Sequence, residues 1–240
     1  MYKRQDTYLA LRNDRDGTFK NLQQFLAKEQ GFVCAYCQRV LEEKDEVIKM
    51  KVEHYQPESI YNGQVNDSRQ ATKLCDGLEK EREDLRIEYH NLLAVCLGKY
   101  STSGETHCDT PPNGKADVEL CAIKKLWSKE FKKLQTKIKY TNRCGIFSED
   151  VAIDKELNDV LNLNEENLKK KRRHIWNGVA KRIAIETGTK DWEKIGGEKV
   201  IFFVKSILEK YKKRKPDGKF FEFYDCIVYL LEKKVRMLNS

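Results

Sequence analysis

Apolar residues recur at helical spacing near the start of the chain. Residues 18–30 carry four of them on one face, namely Phe19, Leu22, Phe25 and Leu26, and Gly31 follows. Apolar positions every three or four residues are typical of an amphipathic helix, and glycine commonly ends one. The pattern therefore predicts a helix over residues 18–30 with these side chains on its apolar face.

Apolar and charged residues then alternate along the chain with a period of two. Ile48, Met50 and Val52 alternate with charged residues, which is the signature of a half-buried strand, and Glu53 and His54 end it. A second apolar run, residues 92–95, directly precedes Cys96. Between these strands, residues 62–88 are polar and charged and are interpreted as an insertion. Residues 98–114 contain Gly, Ser, Thr and Pro and predict a loop.

The remaining pattern is mainly helical. Residues 136–140 and 145–153 alternate weakly and predict a hairpin. Asn164, followed by two glutamates, predicts the N-cap of a helix that runs to Gly188. Further helices are predicted over residues 191–214 and 220–238, separated by a turn at 215–218. Three aromatic side chains are expected in the core: Trp176, Trp192 and Phe202.

The charge of the chain suggests a polyanionic partner. The 240 residues include 46 Lys and Arg against 38 Asp and Glu, a formal net charge of +8. Two basic runs, residues 169–173 and 210–215, could bind nucleic acid or simply solvate helices. A stretch of about 18 apolar residues is lacking, and the N-terminus is charged, so we expect no membrane partner and a cytoplasmic location.

Eight cysteines in a reducing compartment are expected to be metal ligands or buried thiols. Cys34 and Cys37 have the CxxC spacing of two zinc ligands, although a redox dithiol has the same spacing. Cys96 and Cys108 are the natural second pair, and four thiolates would make a closed structural site. His107 could replace Cys108 as the fourth ligand. The other four cysteines are interpreted as buried thiols: Cys75, Cys121, Cys144 and Cys226.

Residues suited to phosphodiester hydrolysis lie between and beside the two cysteine pairs. Such hydrolysis needs a general base for water and a cation for the developing charge. His54 is a suitable base, since imidazole titrates near pH 7. Glu53 and Asp109 could supply oxygen ligands to Mg²⁺ or Mn²⁺. His90 either orients such a site or is simply exposed.

These segments resemble a known family. The strings EQGFVCAYCQ, VEHYQP, YHNLLAVC and VLNLNEENLKKKRR resemble zinc-containing HNH endonucleases, in particular the PtuB nuclease subunits of Septu-type antiphage systems, also found beside some retrons. The similarity runs from about residue 29 to 173.

The resemblance also implies roles for individual residues. It implies that His54 is the base, Glu53 a metal ligand and Asn91 the residue that positions the catalytic loop. It assigns the zinc to Cys34, Cys37, Cys96 and Cys108, and it implies an ABC-type ATPase partner, PtuA-like. Asp109 stands where many HNH proteins have His or Asn, and Asn113 is a competing candidate for that third position.

The sequence therefore predicts an α+β protein. A zinc-braced ββα-metal (HNH) nuclease core is expected over residues 31–117, after an N-terminal helical arm (1–30) and before a mainly helical region (118–240). The predicted function is metal-dependent endonucleolytic cleavage of nucleic acid by an antiphage effector. The alternative is a non-catalytic zinc-ribbon module that binds nucleic acid or a protein. Glu53, His54 and Asn91 favour the enzyme, because a binding module needs neither base nor cation site.

Overall fold

The computed structural model describes residues 18–45, 47–54, 89, 92–99, 105–108, 110, 123, 133–195 and 197–238. Helices and small two-stranded sheets share one hydrophobic core, so the chain is a mixed α+β protein. In chain order the elements are α1 (Thr18–Glu29), β1 (Glu43–Lys44), β2 (Val47–Ile48), β3 (Lys51–His54), β4 (Leu92–Val95), β5 (Ile138–Tyr140), β6 (Ile146–Ser148), α2 (Val151–Lys155), a π-helical turn (Glu156–Val160), α3 (Glu166–Thr187), α4 (Trp192–Ile195), α5 (Glu198–Tyr211) and α6 (Tyr224–Leu238).

Helix α1 confirms the first predicted element but not all of its inward face. Leu26 and Ala27 are buried, whereas Phe25 is 62% exposed. The prediction for Phe25 is therefore wrong. Successive helical residues are separated by about 100°, so a buried stripe through Leu26 and Ala27 turns Phe25 outward. The chain leaves the helix at Gly31, whose φ of 65° is readily adopted only by glycine.

The predicted strand around residue 50 is divided between two sheets. Ile48 in β2 pairs with Glu43, whereas Lys51 starts β3 and pairs with Val95 of β4. Burial still alternates, with Ile48 and Met50 buried and Lys49 exposed. The period of two was therefore correct, and the change of pairing partner between β2 and β3 was not visible in the sequence. The second predicted strand is confirmed as β4.

The later hairpin is shorter than predicted. β5 and β6 pair antiparallel, as expected, but residues 151–153 are helical rather than extended. Asp150 ends the strand segment because its carboxylate accepts a hydrogen bond from the Ile153 amide (3.4 Å) and so caps α2.

Helix α3 begins one residue later than the predicted cap implied. The N-cap is Glu165, whose carboxylate accepts from the Leu168 amide at 2.9 Å. The Asn164 side chain instead brackets β6, accepting from the amide and donating to the carbonyl of Ile146, both at 2.8 Å. The predicted end is confirmed, since Gly188 terminates the helix with φ 71°.

The helix predicted over residues 191–214 is in fact two helices, α4 and α5. Gly197, with φ 106°, lies directly before α5 and is incompatible with a continuous helix. Helix α6 starts at Tyr224 rather than at residue 220, after Phe223 with φ 54°. Trp176 and Trp192 are buried with ring centroids 6.4 Å apart, as predicted, whereas Phe202 is 75% exposed and that prediction is wrong.

The C-terminal helices pack directly against the N-terminal part of the described chain. The Gln38 side chain donates to the Asp225 carboxylate and accepts from the Asp225 amide (3.1 Å). The Phe223 amide donates to the Gln38 carbonyl at 3.0 Å, and the Phe220 amide to the Gly31 carbonyl at 2.9 Å. These bonds cross the boundary proposed at residues 117/118, and the three-part division stays a prediction. Among the described helices, none is long and apolar enough to span a membrane.

Replacement of Asp225 tests this packing. Burial raises the pKa of Asp225 to about 6, and the Gln38 hydrogen bond opposes that rise only partly. Because the folded-state pKa exceeds the ordinary value, the folded state is penalised above about pH 6, and the penalty fades as the pH falls towards 4. We expect Asp225→Asn to be more stable than wild type at pH 8, by roughly 1–3 kcal/mol in urea unfolding, with little difference at pH 4.

Asp217→Asn is the matched control. A hydrogen bond from the Lys219 amide lowers the pKa of that exposed carboxyl, so this variant should gain nothing at pH 8. Destabilisation of Asp225→Asn at pH 8 would show that the charged hydrogen bond to Gln38 outweighs the cost of burial.

Candidate metal centre and catalytic strand

Four buried cysteines converge in the N-terminal half, and they are the four expected to bind zinc. Their sulfur atoms all lie within 4.8 Å of one another. Measured Sγ–Sγ separations are 3.9 Å for Cys34–Cys108, 3.7 Å for Cys37–Cys96 and 3.8 Å for Cys96–Cys108. A tetrahedral zinc with Zn–S bonds of about 2.3 Å requires sulfurs roughly 3.8 Å apart. The group could therefore hold a zinc ion.

The first two cysteines lie in a tight turn. The Cys34 amide donates to the Arg39 carbonyl at 2.8 Å, and the Gln38 amide donates to the Cys34 carbonyl at 3.0 Å. Gln38 takes a left-handed φ of 62°, which reverses the chain directly after Cys37. Val33 and Val40 pair as an isolated bridge at the base of the turn. The CxxC turn is therefore held by its own backbone.

The other two cysteines are held by more distant parts of the chain. Cys96 directly follows β4. Cys108 has φ 59°, and its amide donates to the carbonyl of Leu161 at 2.8 Å. The Asn162 side chain also donates to the Thr106 carbonyl at 2.9 Å. Residues just before α3 therefore position the fourth cysteine, a relationship with no signal in the local sequence.

Gly98 allows the chain to close between Cys96 and Cys108. The His107 amide donates to the Gly98 carbonyl at 3.0 Å, and Lys99 pairs with Thr106. A Cβ atom on Gly98 would lie 2.4 Å from the His107 carbonyl oxygen and 2.6 Å from Thr110 Oγ1, at a φ of 67°. Only glycine fits this position without movement of the backbone.

His107 lies against the sulfur group and is fully buried. Its Nδ1 is 3.2 Å from Cys108 Sγ and 3.9 Å from Cys96 Sγ. The first distance suits a hydrogen bond to sulfur, and both exceed the roughly 2 Å of a zinc–nitrogen bond. The described geometry favours Cys108 as the ligand, with His107 as a neighbour that contacts the sulfurs, a common arrangement around bound metals.

The protonation of the four thiols also fits a cation site. Burial raises the pKa of Cys37 and of Cys108 above that of an ordinary thiol. Hydrogen bonds from Cys108, Cys34 and Cys37 hold the pKa of Cys96 well below it. Burial thus opposes the ionisation of Cys37 and Cys108, and a site of four buried thiolates needs a cation among them.

Strand β3 carries two predicted catalytic residues beside this group. Glu53 lies opposite Leu93 and His54 opposite Leu92 in the β3–β4 ladder. The hydroxyl of Tyr36, from within the CxxC turn, donates to Glu53 Oε1 at 3.3 Å. His54 is 8% exposed. Other candidates lie outside the described residues: His90, Asn91, Asp109, Asn113, Cys75, Cys121 and the proposed insertion at 62–88.

Sequence reasoning missed the residues that fix β4 and Glu53. Gln30 donates to the Ala94 carbonyl and accepts from the Ala94 amide, both at 2.8 Å, and the Ala35 amide also donates to Ala94, at 3.0 Å. The place of Tyr36 between two candidate ligands was a usable signal, since any side chain in so short a turn lies near the site. Gln30 gave none, because an amide at a helix end usually faces water.

Comparison with known proteins gives a partial match. No family model matches the chain. A protein of Escherichia coli described as the candidate HNH endonuclease of retron Ec83 is 30% identical over 100 residues, which is 41% of this chain and 32% of that protein. The match spans only about a third of the relative's length. Together with the four-cysteine group, this likeness supports a nuclease of HNH type in general terms.

Removal of one cysteine should release the metal. We expect Cys37→Ser to lose bound zinc and to lower the Tm by roughly 10 °C or more, because zinc contributes directly to folding in such modules. Since burial raises the pKa of Cys37 and Cys108, zinc affinity should rise with pH and fall in acid. Elemental analysis measures the zinc content, and thermal unfolding measures the Tm. Cys144→Ser, which changes a buried cysteine outside the group, is the control and should keep its zinc. Full zinc occupancy in Cys37→Ser would show that Cys37 is not a ligand.

Alanine substitution at two glycines with similar backbone angles distinguishes backbone strain from steric collision of the added Cβ. Gly98 and Gly188 have φ 67° and 71°, but a Cβ on Gly188 would meet nothing within 4 Å. Alanine in a left-handed conformation costs about 1–2 kcal/mol, so Gly188→Ala should lose about that much stability and no zinc. Gly98→Ala should be less stable still and bind zinc more weakly, as measured by competition with a chromogenic chelator. Equal behaviour of the two variants would show that the loop tolerates the added methyl group.

Proposed function

We propose that this chain is a metal-dependent HNH endonuclease that hydrolyses phosphodiester bonds in nucleic acid. The observation that carries the proposal is the position of Glu53 and His54. They end strand β3, which lies between the two cysteine pairs in sequence and pairs with β4, and Tyr36 of the CxxC turn contacts Glu53 directly. A zinc ion at the cysteines would hold this strand, and it would take no part in the chemistry because its four ligands leave no open position.

The proposed chemistry divides between a base and oxygen ligands. His54 would accept the proton of the attacking water, whose oxygen forms the new bond to phosphorus. Glu53, with Asp109 or Asn113, would hold Mg²⁺ or Mn²⁺, which stabilises the charge that develops as the ester bond breaks. Tyr36 would orient the Glu53 carboxylate through its hydroxyl. Asn91, directly before β4 in sequence, would position the catalytic loop, as the family resemblance implies.

The same proposal includes a defence role and a partner. The E. coli relative belongs by its name to a retron, and the sequence resembles nuclease subunits that work with an ABC-type ATPase. We infer that this chain acts as the nuclease effector of an antiphage complex with a PtuA-like ATPase. The +8 net charge agrees with a nucleic-acid substrate.

A different class of function makes a distinct prediction. A zinc-ribbon binding module would use the same four cysteines but would not need Glu53 or His54. The hydrogen bond from Tyr36 to Glu53 favours the enzyme, because it ties a candidate metal-binding carboxylate to the CxxC turn.

Substitution of the base is the direct test. We expect His54→Ala to cut duplex DNA, single-stranded DNA or tRNA at least about 100-fold more slowly than wild type in Mg²⁺ or Mn²⁺, because a general base contributes about 10²–10⁴-fold to rate. Glu53→Gln should lose activity similarly. Reactions would be run with and without a PtuA-like ATPase, and gels would report cleavage.

Glu149→Gln is the control for the same chemical change at an exposed carboxylate, which pairs with Lys139 at 2.6 Å. It should cut like wild type, and all three variants should keep their zinc. Equal cutting by wild type and His54→Ala would reject this base. Absence of cutting by wild type with the ATPase present, with zinc bound and nucleic acid retained, would favour the binding module.

A further inference from the structure

The side chains within each basic run of the sequence differ in burial and in contacts. In the first run, Arg172 is 4% exposed and donates to the Leu163 carbonyl inside the protein. Lys169 pairs with Glu166 at 2.9 Å, and Arg173 donates to the Arg143 carbonyl at 3.4 Å. Lys170 and Lys171, together with His174 and Glu222, line an open surface cavity of about 440 Å³ between α3 and the segment before α6. Only part of the run therefore faces that cavity.

The second run surrounds an aromatic pair next to this cavity. Tyr211 and Phe221 stack with ring centroids 4.4 Å apart. The ammonium groups of Lys210 and Lys215 lie 5.5 and 5.9 Å from the centre of the Phe221 ring. Cations at this distance are attracted to the face of an aromatic ring.

Helix α3 supplies a further cation to the aromatic pair. Arg182 follows Lys171 by 11 residues, or about three turns of α3, so the two side chains lie on the same face of that helix. Burial raises the pKa of Tyr211, and the positive charge of Arg182 opposes that rise. Phe221 directly precedes Glu222 of the cavity. The cavity and the aromatic pair are thus linked through consecutive residues of the chain. We call them the basic–aromatic surface, defined by Lys170, Lys171, Arg182, Lys210 and Lys215 around the Tyr211–Phe221 pair.

The charge of this surface is strongly one-sided. Its five cations face two carboxylates, Glu222 in the cavity and Asp217, which lies 3.6 Å from Lys215. His174 adds a further ring nitrogen that can donate to an anion when protonated. Cations clustered beside half-buried aromatic rings suit a polyanion with flat bases better than a simple acidic side chain.

The surface is fixed to the candidate nuclease element. Phe220 stacks on Tyr224 at 4.4 Å, and a Cβ on Gly31 would lie 2.4 Å from the Phe220 ring. The Arg214 guanidinium donates to the Lys28 carbonyl at 3.0 Å and lies over the Phe220 ring. The segment that carries Lys215 and Phe221 therefore packs against the residues that lead into the CxxC turn.

Gly178 leaves bare backbone along the same helix. It lies between His174 and Arg182 on α3 and is exposed, and an added Cβ would have no atom of the described residues within 4 Å. Glycine inside a helix is less stable than alanine, and no packing contact with the described part of the chain requires it here. A helix surface without a side chain lets a ligand backbone approach closely.

We propose that the basic–aromatic surface binds the phosphate backbone of the nucleic acid that the candidate nuclease site cuts. The inference rests on the proposed function and extends it, because it places substrate binding on the C-terminal helices rather than on the zinc-braced element alone. The clustered cations, the aromatic pair among them and the firm attachment to the CxxC turn carry it. An acidic protein partner is the competing occupant.

The test measures binding without cutting. Full-length His54→Ala protein would be titrated into fluorescein-labelled 30-mer duplex DNA, single-stranded DNA and RNA, in EDTA, between 50 and 200 mM salt. In that background, Lys171→Glu, Arg182→Glu and Lys210→Glu together should weaken binding at least tenfold. They should also reduce the slope of log K against log salt by about 3, since each phosphate that a cation no longer neutralises lowers the slope by about one.

A second triple variant is the matched control. Lys155→Glu, Lys190→Glu and Lys205→Glu make the same change of charge at exposed lysines that line neither the cavity nor the aromatic pair. This variant should bind with the loss expected from net charge alone, a small fraction of the first effect. If the first variant unfolds early, Gln at the same three positions gives the test without charge reversal.

Either outcome separates this inference from the proposed function. Equal losses in both triple variants, or no salt-dependent binding to any of the three probes, would overturn the basic–aromatic surface as a nucleic-acid site. Cleavage by wild type could still be present in that case. If instead the first variant fails only to join a copurifying protein subunit, the surface belongs to a protein partner and the proposal is wrong.

Discussion

Four sulfur atoms lie within 4.8 Å of one another in a site that is closed to solvent, and they can all be thiolates only with a cation among them. That electrostatic requirement governs the N-terminal half of the molecule. The CxxC turn, the end of β4 and the short segment that ends at Cys108 must all reach one point. Strand β3 pairs only with β4 among the described elements, so its position depends on the same point.

The support for this site comes from the C-terminal half of the chain. The amide of Cys108 is held by Leu161, and Gln38, directly after Cys37, exchanges hydrogen bonds with Asp225 of α6. The helical C-terminal region is therefore part of the structure that places the cysteines. A nuclease element of this size has little core of its own, and larger chains bury a greater share of their surface. Packing against α6 supplies apolar contacts that the two small sheets cannot make.

Patterns that depend on near neighbours in sequence were predictable, and those that depend on distant partners were not. The helical period located α1 and the end of α3 at Gly188, and CxxC spacing with two later cysteines identified the sulfur group. Asn164 was misread because a capping residue and a residue that brackets a strand have the same side-chain chemistry. Phe202 was misread because an apolar residue in an amphipathic helix does not reveal the edge of its buried face. Glu53 could be named from its motif, but its contact with Tyr36 required the fold.

The side chain of Gln30 has an effect beyond the site. A strand in a two-stranded sheet presents a free row of amide and carbonyl groups, which readily pairs with a strand of another molecule. On β4 the amide and carbonyl of Ala94 are already occupied by the Gln30 carboxamide, and Ala35 shares the carbonyl. One glutamine thus imitates a third strand at this position. Because Ala94 is fully buried, this pairing lets α1 cover the margin of the sheet with the amide and carbonyl of Ala94 both satisfied.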